Sequence, residues 1–217
     1  MKVGTDGALL GAWATVGPQD HALLDIGTGS GLIALMLAQR SEASIDAIDI
    51  DAPACQQAME NVMRSPFAGR IAVHHCSLSS YRPEERKYDL IVSNPPYFIQ
   101  SLKCPDAIRS QARHADSLSL PVLLQESLRL LAPTGRLALI LPFDQRDILL
   151  EEMSKTGLYL LRETQVSTRQ GMPPKRLLVE LGKAVVTPIC SQLAIEDEEH
   201  HYTQEFIALE QPFYLKM

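Results

Sequence analysis

This sequence has no long apolar run and no close pair of cysteines. No run approaches the roughly 20 residues that span a bilayer, and the first residues lack the apolar core of a signal peptide. We therefore expect a cytoplasmic protein. The four cysteines include no Cys-x-x-Cys pair, and the pairs His74-His75 and His200-His201 have no third ligand at metal spacing. We accordingly expect free thiols and no metal site.

Basic residues are absent from the acidic stretch near the C-terminus. The formal net charge is −6 at pH 7, which by itself disfavours a nucleic-acid partner. The acidic residues of that stretch account for the whole of this charge: Glu196, Asp197, Glu198, Glu199, Glu205 and Glu210. Basic residues cluster after residue 97 and between Arg162 and Arg176. The charge is polarised along the chain, so the net value does not exclude an RNA or DNA partner.

The order of the predicted elements indicates one α/β domain that comprises residues 1–217. A chain of this length with 46% hydrophobic content can bury one sizeable core. Helical patterns alternate with seven runs that we predict to be strands: 22–26, 45–50, 70–75, 88–93, 136–141, 159–168 and 176–181. The turn at 171–174 is too short for a helical crossover, so the last two strands should be antiparallel. We expect a mostly parallel seven-stranded sheet, closed by an antiparallel C-terminal hairpin, with helices on both faces.

A glycine-rich turn joins the first predicted strand to a helix, in the pattern Asp25-x-Gly27-x-Gly29-x-Gly31. Glycines allow the backbone to approach a ligand closely and to adopt positive φ. The dinucleotide fingerprint would require glycine at position 32, where Leu32 stands, so a loop that binds pyrophosphate is disfavoured. The pattern is typical instead of the loop that holds the methionine and adenosine parts of S-adenosylmethionine.

Asp49 ends the second predicted strand, where it is placed to accept hydrogen bonds from both ribose hydroxyls of a cofactor. Nicotinamide enzymes use the same arrangement, so Asp49 alone does not discriminate between the two cofactors. The sequence Ser93–Tyr97 does discriminate, because hydride transfer has no use for it.

That second sequence, Ser93-Asn94-Pro95-Pro96-Tyr97, follows a short apolar strand. Two consecutive prolines fix φ and remove two backbone donors, so the strand ends and the loop is stiff. A loop at the carboxyl end of a strand is where open α/β sheets bind their ligands. It offers an amide, backbone carbonyls and an aromatic ring, which suits a planar base with an exocyclic amino group. The alternative is that these residues only form a turn that ends the strand.

With both loops, the chain resembles class I S-adenosylmethionine-dependent methyltransferases of the amino-methylating branch. It resembles the bacterial tRNA(Val) adenine-N6 methyltransferases more closely. The residues of that closer resemblance are Lys2-Val3-Gly4-Thr5-Asp6-Gly7 at the start, the two loops, and Phe213-Tyr214-Leu215-Lys216-Met217 at the end. The resemblance implies a Rossmann-like methyltransferase fold, with 1–20 as a segment that closes over the cofactor and 183–217 as a C-terminal appendage.

The resemblance also implies an activity, which is methylation of N6 of an adenosine in tRNA, adenosine 37 in the anticodon loop of a valine tRNA. The predicted catalytic residues are Asn94, Pro95, Pro96 and Tyr97. The predicted residues at the S-adenosylmethionine site are Lys2, Thr5, Asp6, Gly7, Asp25, Gly27, Thr28, Gly29, Gly31, Asp49, Ile50 and Ser77. Ser77 is a departure, because the family often has an acid at this position, near the adenine amine.

Six basic residues are expected to contact the phosphates of the tRNA: Lys103, Arg109, Arg113, Arg169, Lys175 and Arg176. The alternative for each is a solvated surface charge. The same two loops also serve enzymes that methylate a release-factor glutamine at N5, adenine N6 in DNA or guanine N2 in ribosomal RNA. A further alternative is an S-adenosylmethionine-binding module with impaired catalysis. We expect a monomer.

Overall fold

The computed structural model describes residues 4–96 and 118–214. Its helices are α1 (Thr5–Trp13), α2 (Leu32–Arg40), α3 (Ala52–Met63), α4 (Leu120–Leu130), α5 (Arg146–Ser154) and α6 (Gln204–Glu210). Its strands are β1 (Ala22–Ile26), β2 (Ser44–Asp49), β3 (Ile71–His75), β4 (Tyr88–Ser93), β5 (Leu131–Pro142), β6 (Tyr159–Arg169), β7 (Arg176–Gly182) and β8 (Ile189–Glu196). None of the described helices is both long enough and apolar enough to cross a membrane.

The strands form one eight-stranded sheet in the order β3-β2-β1-β4-β5-β7-β6-β8. Strand β7 is antiparallel to both of its neighbours, and the other pairings are parallel. The mostly parallel sheet with an antiparallel C-terminal hairpin is thus confirmed. The number of strands is a correction, because β8 pairs with β6 and makes eight where we expected seven. Part of the predicted appendage 183–217 therefore belongs to the sheet.

Strand β8 has little of the pattern that predicts a strand. It is at the edge of the sheet, and among its residues only Leu193 is buried. A strand with one buried side chain needs little apolar alternation, so periodicity gives a weak signal there. Its stability depends on pairing with β6, which the sequence of β8 does not reveal.

Helices cover both faces of the sheet, as predicted. Neighbouring residues of β4 show the alternation, because Leu90 belongs to one buried cluster and Ile91 to the other. The first cluster includes side chains of α1, α2, α3 and α6, whereas the second includes side chains of α4 and α5. Each strand buries successive side chains on opposite faces, so both faces require a helical layer.

Helix α1 begins at Thr5, before the apolar residues from Leu9 to Ala14, and it packs against the sheet and against α2. The indole Nε1 of Trp13 donates to Thr164 Oγ1 at 2.9 Å, and the Arg162 guanidinium lies 3.6 Å from the centre of the Trp13 ring. A Cβ added to Gly11 would lie 2.7 Å from Sδ of Met36, so α1 and α2 pack closely at this point. These contacts fix the C-terminal half of α1 on β6 and on α2.

Candidate active site

The carboxyl ends of β1 and β4 meet where the strand order reverses. Ile26, the last residue of β1, is in register with Ser93, the last residue of β4. The Ser93 hydroxyl donates to the Ile26 carbonyl oxygen at 2.9 Å. The glycine loop starts immediately after Ile26 and the Asn94 loop immediately after Ser93. The two predicted motifs therefore start side by side, at the position where open α/β sheets bind ligands.

The glycine loop has the backbone conformation that its sequence predicts. Gly27, Gly29 and Gly31 all have positive φ, at 71°, 56° and 81°. The N–H groups of Gly27 and Thr28 both donate to the Ile48 carbonyl oxygen, at 2.9 and 3.0 Å. A Cβ added to Gly27 would have no described heavy atom within 4 Å. The loop is thus tied to the end of β2 and leaves open space above Gly27.

Asp25 is fully buried beneath this loop. Its Oδ2 accepts a hydrogen bond from Thr28 Oγ1 at 2.6 Å and one from the Ala34 N–H at 3.2 Å. Its Oδ1 is buried and has no hydrogen-bond partner among the described residues. Burial, with a smaller effect from the Asp49 charge, raises the pKa of Asp25 to about 6. An acceptor atom is therefore available for a donor that enters the loop.

Asp49 ends β2 on the other side of the loop, and Ile50 follows it directly. Asp49 Oδ2 accepts from the Gly29 N–H at 2.8 Å, and Oδ1 accepts from the Asp51 N–H at 2.9 Å. A carboxylate has about four acceptor positions, so both oxygens retain capacity for hydroxyl donors. The Ile50 side chain is 53% exposed, which is high for an apolar residue at a strand end. This arrangement can bind a ribose and cover one face of a base.

Ser77 uses its hydroxyl within its own turn. Its Oγ accepts from the Ser80 N–H at 3.2 Å and donates to Ser80 Oγ at 2.9 Å, and so caps the 3₁₀ turn Leu78–Ser80. The hydroxyl proton is used in the hydrogen bond to Ser80, but the Ser77 oxygen can still accept a further hydrogen bond. The contact with an adenine amine stays a prediction.

Asn94 lies near Gly7 in the first turn of α1, and Gly7 also lies near Leu32, the first residue of α2. A Cβ added to Gly7 would lie 3.9 Å from Asn94 Nδ2 and 3.5 Å from Leu32 Cδ2. Pro95 is buried and Pro96 is exposed, so the loop runs from the core to the surface. Tyr97 lies outside the described residues, as does Lys2.

One ion pair joins a residue predicted to bind the cofactor to a residue predicted to bind RNA. Thr5, Asp6 and Gly7 form the first turn of α1, and Asp6 Oδ2 accepts from Arg176 Nε at 2.8 Å. Arg176 is the first residue of β7. Because β7 is antiparallel to β5, β7 starts at the end of the sheet where the parallel strands finish and the two loops lie. Asp6, which we predicted to bind the cofactor, thus contacts Arg176, which we predicted to bind RNA.

Two of the other predicted RNA-binding residues, Arg169 and Lys175, lie in the described part of the chain. Arg169 donates to His200 Nε2 at 2.8 Å, and His200 Nδ1 lies 3.0 Å from Glu196 Oε2. Lys175 is exposed at the hairpin and makes no ion pair with any described residue. The remaining three fall outside the described part of the chain: Lys103, Arg109 and Arg113. Arg169, Lys175 and Arg176 all lie at the same end of the sheet as Asn94, at the carboxyl ends of the parallel strands.

A buried polar cluster around Asp46 was not predicted from the sequence. Asp46 accepts from Tyr88 OH at 2.6 Å and lies 3.1 Å from both His74 Nε2 and Arg86 Nη1. The hydroxyls of Tyr81 and Tyr88 are 2.7 Å apart. Burial raises the pKa of Tyr88 and raises that of Tyr81 to about 12. An acid inside the otherwise apolar run of β2 was the available signal for this cluster.

Comparison with known proteins identifies the family. The family model for the methyltransferase small domain matches residues 8–147. A tRNA1(Val) (adenine(37)-N6)-methyltransferase from Parabacteroides distasonis is 58% identical over 219 residues, which cover 100% of this chain and 92% of the relative.

Solved structures resemble the fold. A predicted O-methyltransferase from Agrobacterium tumefaciens matches with a TM-score of 0.75 over 95% of this chain and 96% of its own, at 16% identity. Geranyl diphosphate methyltransferase in complex with SAM matches with a TM-score of 0.59 over 82% and 84%, at 14% identity. At these identities the matches confirm the Rossmann-like methyltransferase fold and no more. The chain belongs to the methyltransferase small domain family and, within it, to the bacterial tRNA(Val) adenine-N6 methyltransferases.

Proposed function

We propose that this protein transfers a methyl group from S-adenosylmethionine to N6 of an adenosine in tRNA, adenosine 37 of the valine tRNA named for its relatives. The observation on which this rests is the position of Asn94, next to the glycine loop and against the first turn of α1. A cofactor loop and an amide that can bind an amino group thus lie side by side. We also propose that the chain acts as a cytoplasmic monomer and as one domain.

The described residues fit S-adenosylmethionine. The Asp49 carboxylate retains acceptor capacity for ribose hydroxyls, the exposed Ile50 side chain can cover a face of the adenine, and the open space above Gly27 allows close approach of a ligand to the backbone. The unpartnered Oδ1 of Asp25 can accept a hydrogen bond from a donor of the methionine part. Bound S-adenosylmethionine would supply a methyl group on a positively charged sulfur. Attack by the neutral amino nitrogen would form the N–CH3 bond as the S–CH3 bond breaks, with S-adenosylhomocysteine as the leaving group and one N6 proton lost to water.

The remaining chemistry belongs to the Asn94 loop. The N6 amino group of adenine is a poor nucleophile, because its lone pair is delocalised into the ring. In the proposed reaction, Asn94 Oδ1 and the Pro95 carbonyl oxygen accept the two N6 hydrogens, which favours a tetrahedral nitrogen whose lone pair points at the methyl group. These contacts strengthen as the nitrogen changes geometry, so they stabilise the transition state more than the bound substrate.

The adenine must leave its stack to reach this loop. A single-stranded anticodon loop presents bases at low energetic cost. In the proposal Tyr97 stacks on the extruded base, a contact worth about 1–3 kcal/mol. The rigid Pro95-Pro96 backbone holds the base in place, so proximity and orientation supply much of the acceleration. Exposed Lys175 and the basic residues after Tyr97 contact the flanking phosphates.

The test is transfer of a labelled methyl group to purified tRNA, RNA-free protein and DNA, followed by digestion of the RNA to nucleosides. We expect label in tRNA only and recovered as N6-methyladenosine. Label in a protein glutamine, in DNA or in N2-methylguanosine would assign one of the alternative activities instead. Binding of S-adenosylhomocysteine without any transfer would assign the chain as a binding module.

A further inference from the structure

An ion pair joins the first turn of α1 to the start of β7, 170 residues later in the chain. Arg176 Nε donates to Asp6 Oδ2 at 2.8 Å, and Arg176 Nη1 donates to the Lys175 carbonyl oxygen at 3.1 Å. The two side chains are only 32% and 21% exposed, so water screens this pair less than a pair on the open surface. The guanidinium is thus held by a carboxylate and by its own backbone.

From Asp6 the contact continues to the proposed catalytic amide. Gly7 follows Asp6 in the same helical turn, and its Cβ position lies 3.9 Å from Asn94 Nδ2. A side chain at Gly7 would thus meet both Leu32 Cδ2 and Asn94 Nδ2, so the backbone of this turn lies close to the Asn94 amide. A shift of this turn therefore changes the space available to Asn94.

The first turn of α1 is less buried than the turns that follow it. Its Gly4 N-cap makes no side-chain hydrogen bond, and Thr5 is exposed, whereas the later turns are buried through Leu10 and Trp13. Helix ends without caps fray. The Asp6–Arg176 pair ties this turn to the start of β7.

We propose that Asp6 and Arg176 are a positioning pair, which holds the first turn of α1 against Asn94 and so keeps the Asn94 amide oriented for the adenine amino group. This inference rests on the proposed function. It replaces the cofactor contact predicted for Asp6, and it changes the role predicted for Arg176. Its guanidinium acts on Asn94 through Asp6 and Gly7, and it is not primarily a phosphate contact.

The two roles of Arg176 predict opposite behaviour for Asp6. If Arg176 contacts phosphate, Asp6→Asn removes a competing acid and should tighten tRNA binding. If the pair positions Asn94, Asp6→Asn and Arg176→Gln should both lower kcat. A misplacement of about 1 Å can cost about 100-fold in rate, so we expect a loss of about 10- to 100-fold. The KM for tRNA and the affinity for S-adenosylhomocysteine should change by no more than about twofold in both variants.

The experiment is a double-mutant cycle in steady-state kinetics on tRNA. The double variant Asp6→Asn/Arg176→Gln should lose no more kcat than either single variant, because the interaction is lost once. The reciprocal variant Asp6→Arg/Arg176→Asp should recover part of the loss. Lys175→Gln is the matched phosphate control, and it should raise the KM for tRNA and reduce the salt slope by about 1 while kcat stays near wild type. Glu151→Gln, which breaks an exposed pair with Lys155 on α5, should leave all parameters unchanged.

Amide hydrogen exchange gives a readout independent of catalysis. The N–H groups of Gly7 and Ala8 donate to the Gly4 carbonyl oxygen, so both should exchange faster in each single variant and regain protection in the reciprocal variant. If wild type fails to methylate tRNA, the proposed function is wrong, and the pair is still judged by this exchange. Additive kcat losses with unchanged exchange, or tighter tRNA binding by Asp6→Asn at full kcat, would overturn the inference.

Discussion

Asp49 Oδ2 accepts a hydrogen bond of 2.8 Å from the backbone N–H of Gly29, so the end of β2 directly fixes the loop that follows β1. Gly29 can orient its N–H in this way because its φ is 56°, a value that glycine adopts without strain. The same carboxylate is therefore both a support of the loop and the proposed ribose ligand. Substitution of Asp49 therefore removes the support of the loop and the proposed ribose contact together.

Asp49→Ala should weaken S-adenosylhomocysteine binding by about 10- to 100-fold, or about 1.4–2.8 kcal/mol, because it removes charge-assisted hydrogen bonds to the ribose. Isothermal titration calorimetry measures the change. Asp51→Ala is the matched control, since Asp51 Oδ2 caps α3 by accepting from the Ala54 N–H at 3.3 Å. That variant should lose about 1 kcal/mol of stability without loss of cofactor affinity. Equal affinities for Asp49→Ala and wild type would remove Asp49 from the site.

Asn94→Ala should lower kcat by about 10²–10³-fold, because the loss of one preorganised polar contact at a reacting group has that effect in other enzymes. Cofactor and tRNA affinities should stay near wild type, so kcat and kcat/KM fall together. Asn61→Ala provides the contrast, since Asn61 Nδ2 donates to the Ser30 carbonyl oxygen at 2.9 Å in the glycine loop. Its defect should be in cofactor binding. An Asn94→Ala variant with more than about a tenth of wild-type kcat would show that the loop is only a turn.

Glu210→Gln should stabilise the protein at alkaline pH. Both carboxyl oxygens of Glu210 are buried without a hydrogen-bond partner among the described residues, and burial raises the pKa of Glu210 to about 7 from 4.5. The folded state thus binds this proton more tightly than the unfolded state. The resulting penalty is absent below about pH 4.5 and grows as the pH rises to about 7.

Glutamine cannot ionise, so the Glu210→Gln variant should exceed wild type by on the order of 1–3 kcal/mol at pH 8 and show little of this gain at pH 4.5. Urea unfolding at the two pH values measures the difference. Glu205→Gln, on the exposed side of the same helix, should show no such dependence. A gain for Glu210→Gln that is equal at both pH values would contradict ionisation as its cause.

Tyr88→Phe should destabilise the protein by about 1–3 kcal/mol, because it removes the donor to buried Asp46 and leaves the Tyr81 hydroxyl without this partner. The variant tests the polar cluster that the sequence analysis missed. Tyr159→Phe is the control, since Tyr159 is exposed at the start of β6 and should change stability by less than about 0.5 kcal/mol. Equal unfolding free energies for both variants would show that the Tyr88–Asp46 hydrogen bond contributes nothing.

Features that depend on short-range chemistry could be predicted from the amino-acid sequence. Three glycines with positive φ, an aspartate at the end of β2 and a proline pair after β4 predicted the two loops and the sheet edge at which they lie. The short turn before Arg176 predicted the antiparallel hairpin. These predictions succeeded because glycine, proline and apolar periodicity restrict the backbone whatever surrounds them.

The tertiary structure alone decided which distant side chains pair. The hairpin arginines looked alike in sequence, yet Arg176 contacts Asp6 and Arg169 contacts His200. Strand β8 and the buried acid Asp46 likewise depend on neighbours brought together by the sheet. The physical reason is that an ion pair or an edge strand gains its stability from partners far away in the chain. Local sequence patterns therefore do not indicate which residues those partners are.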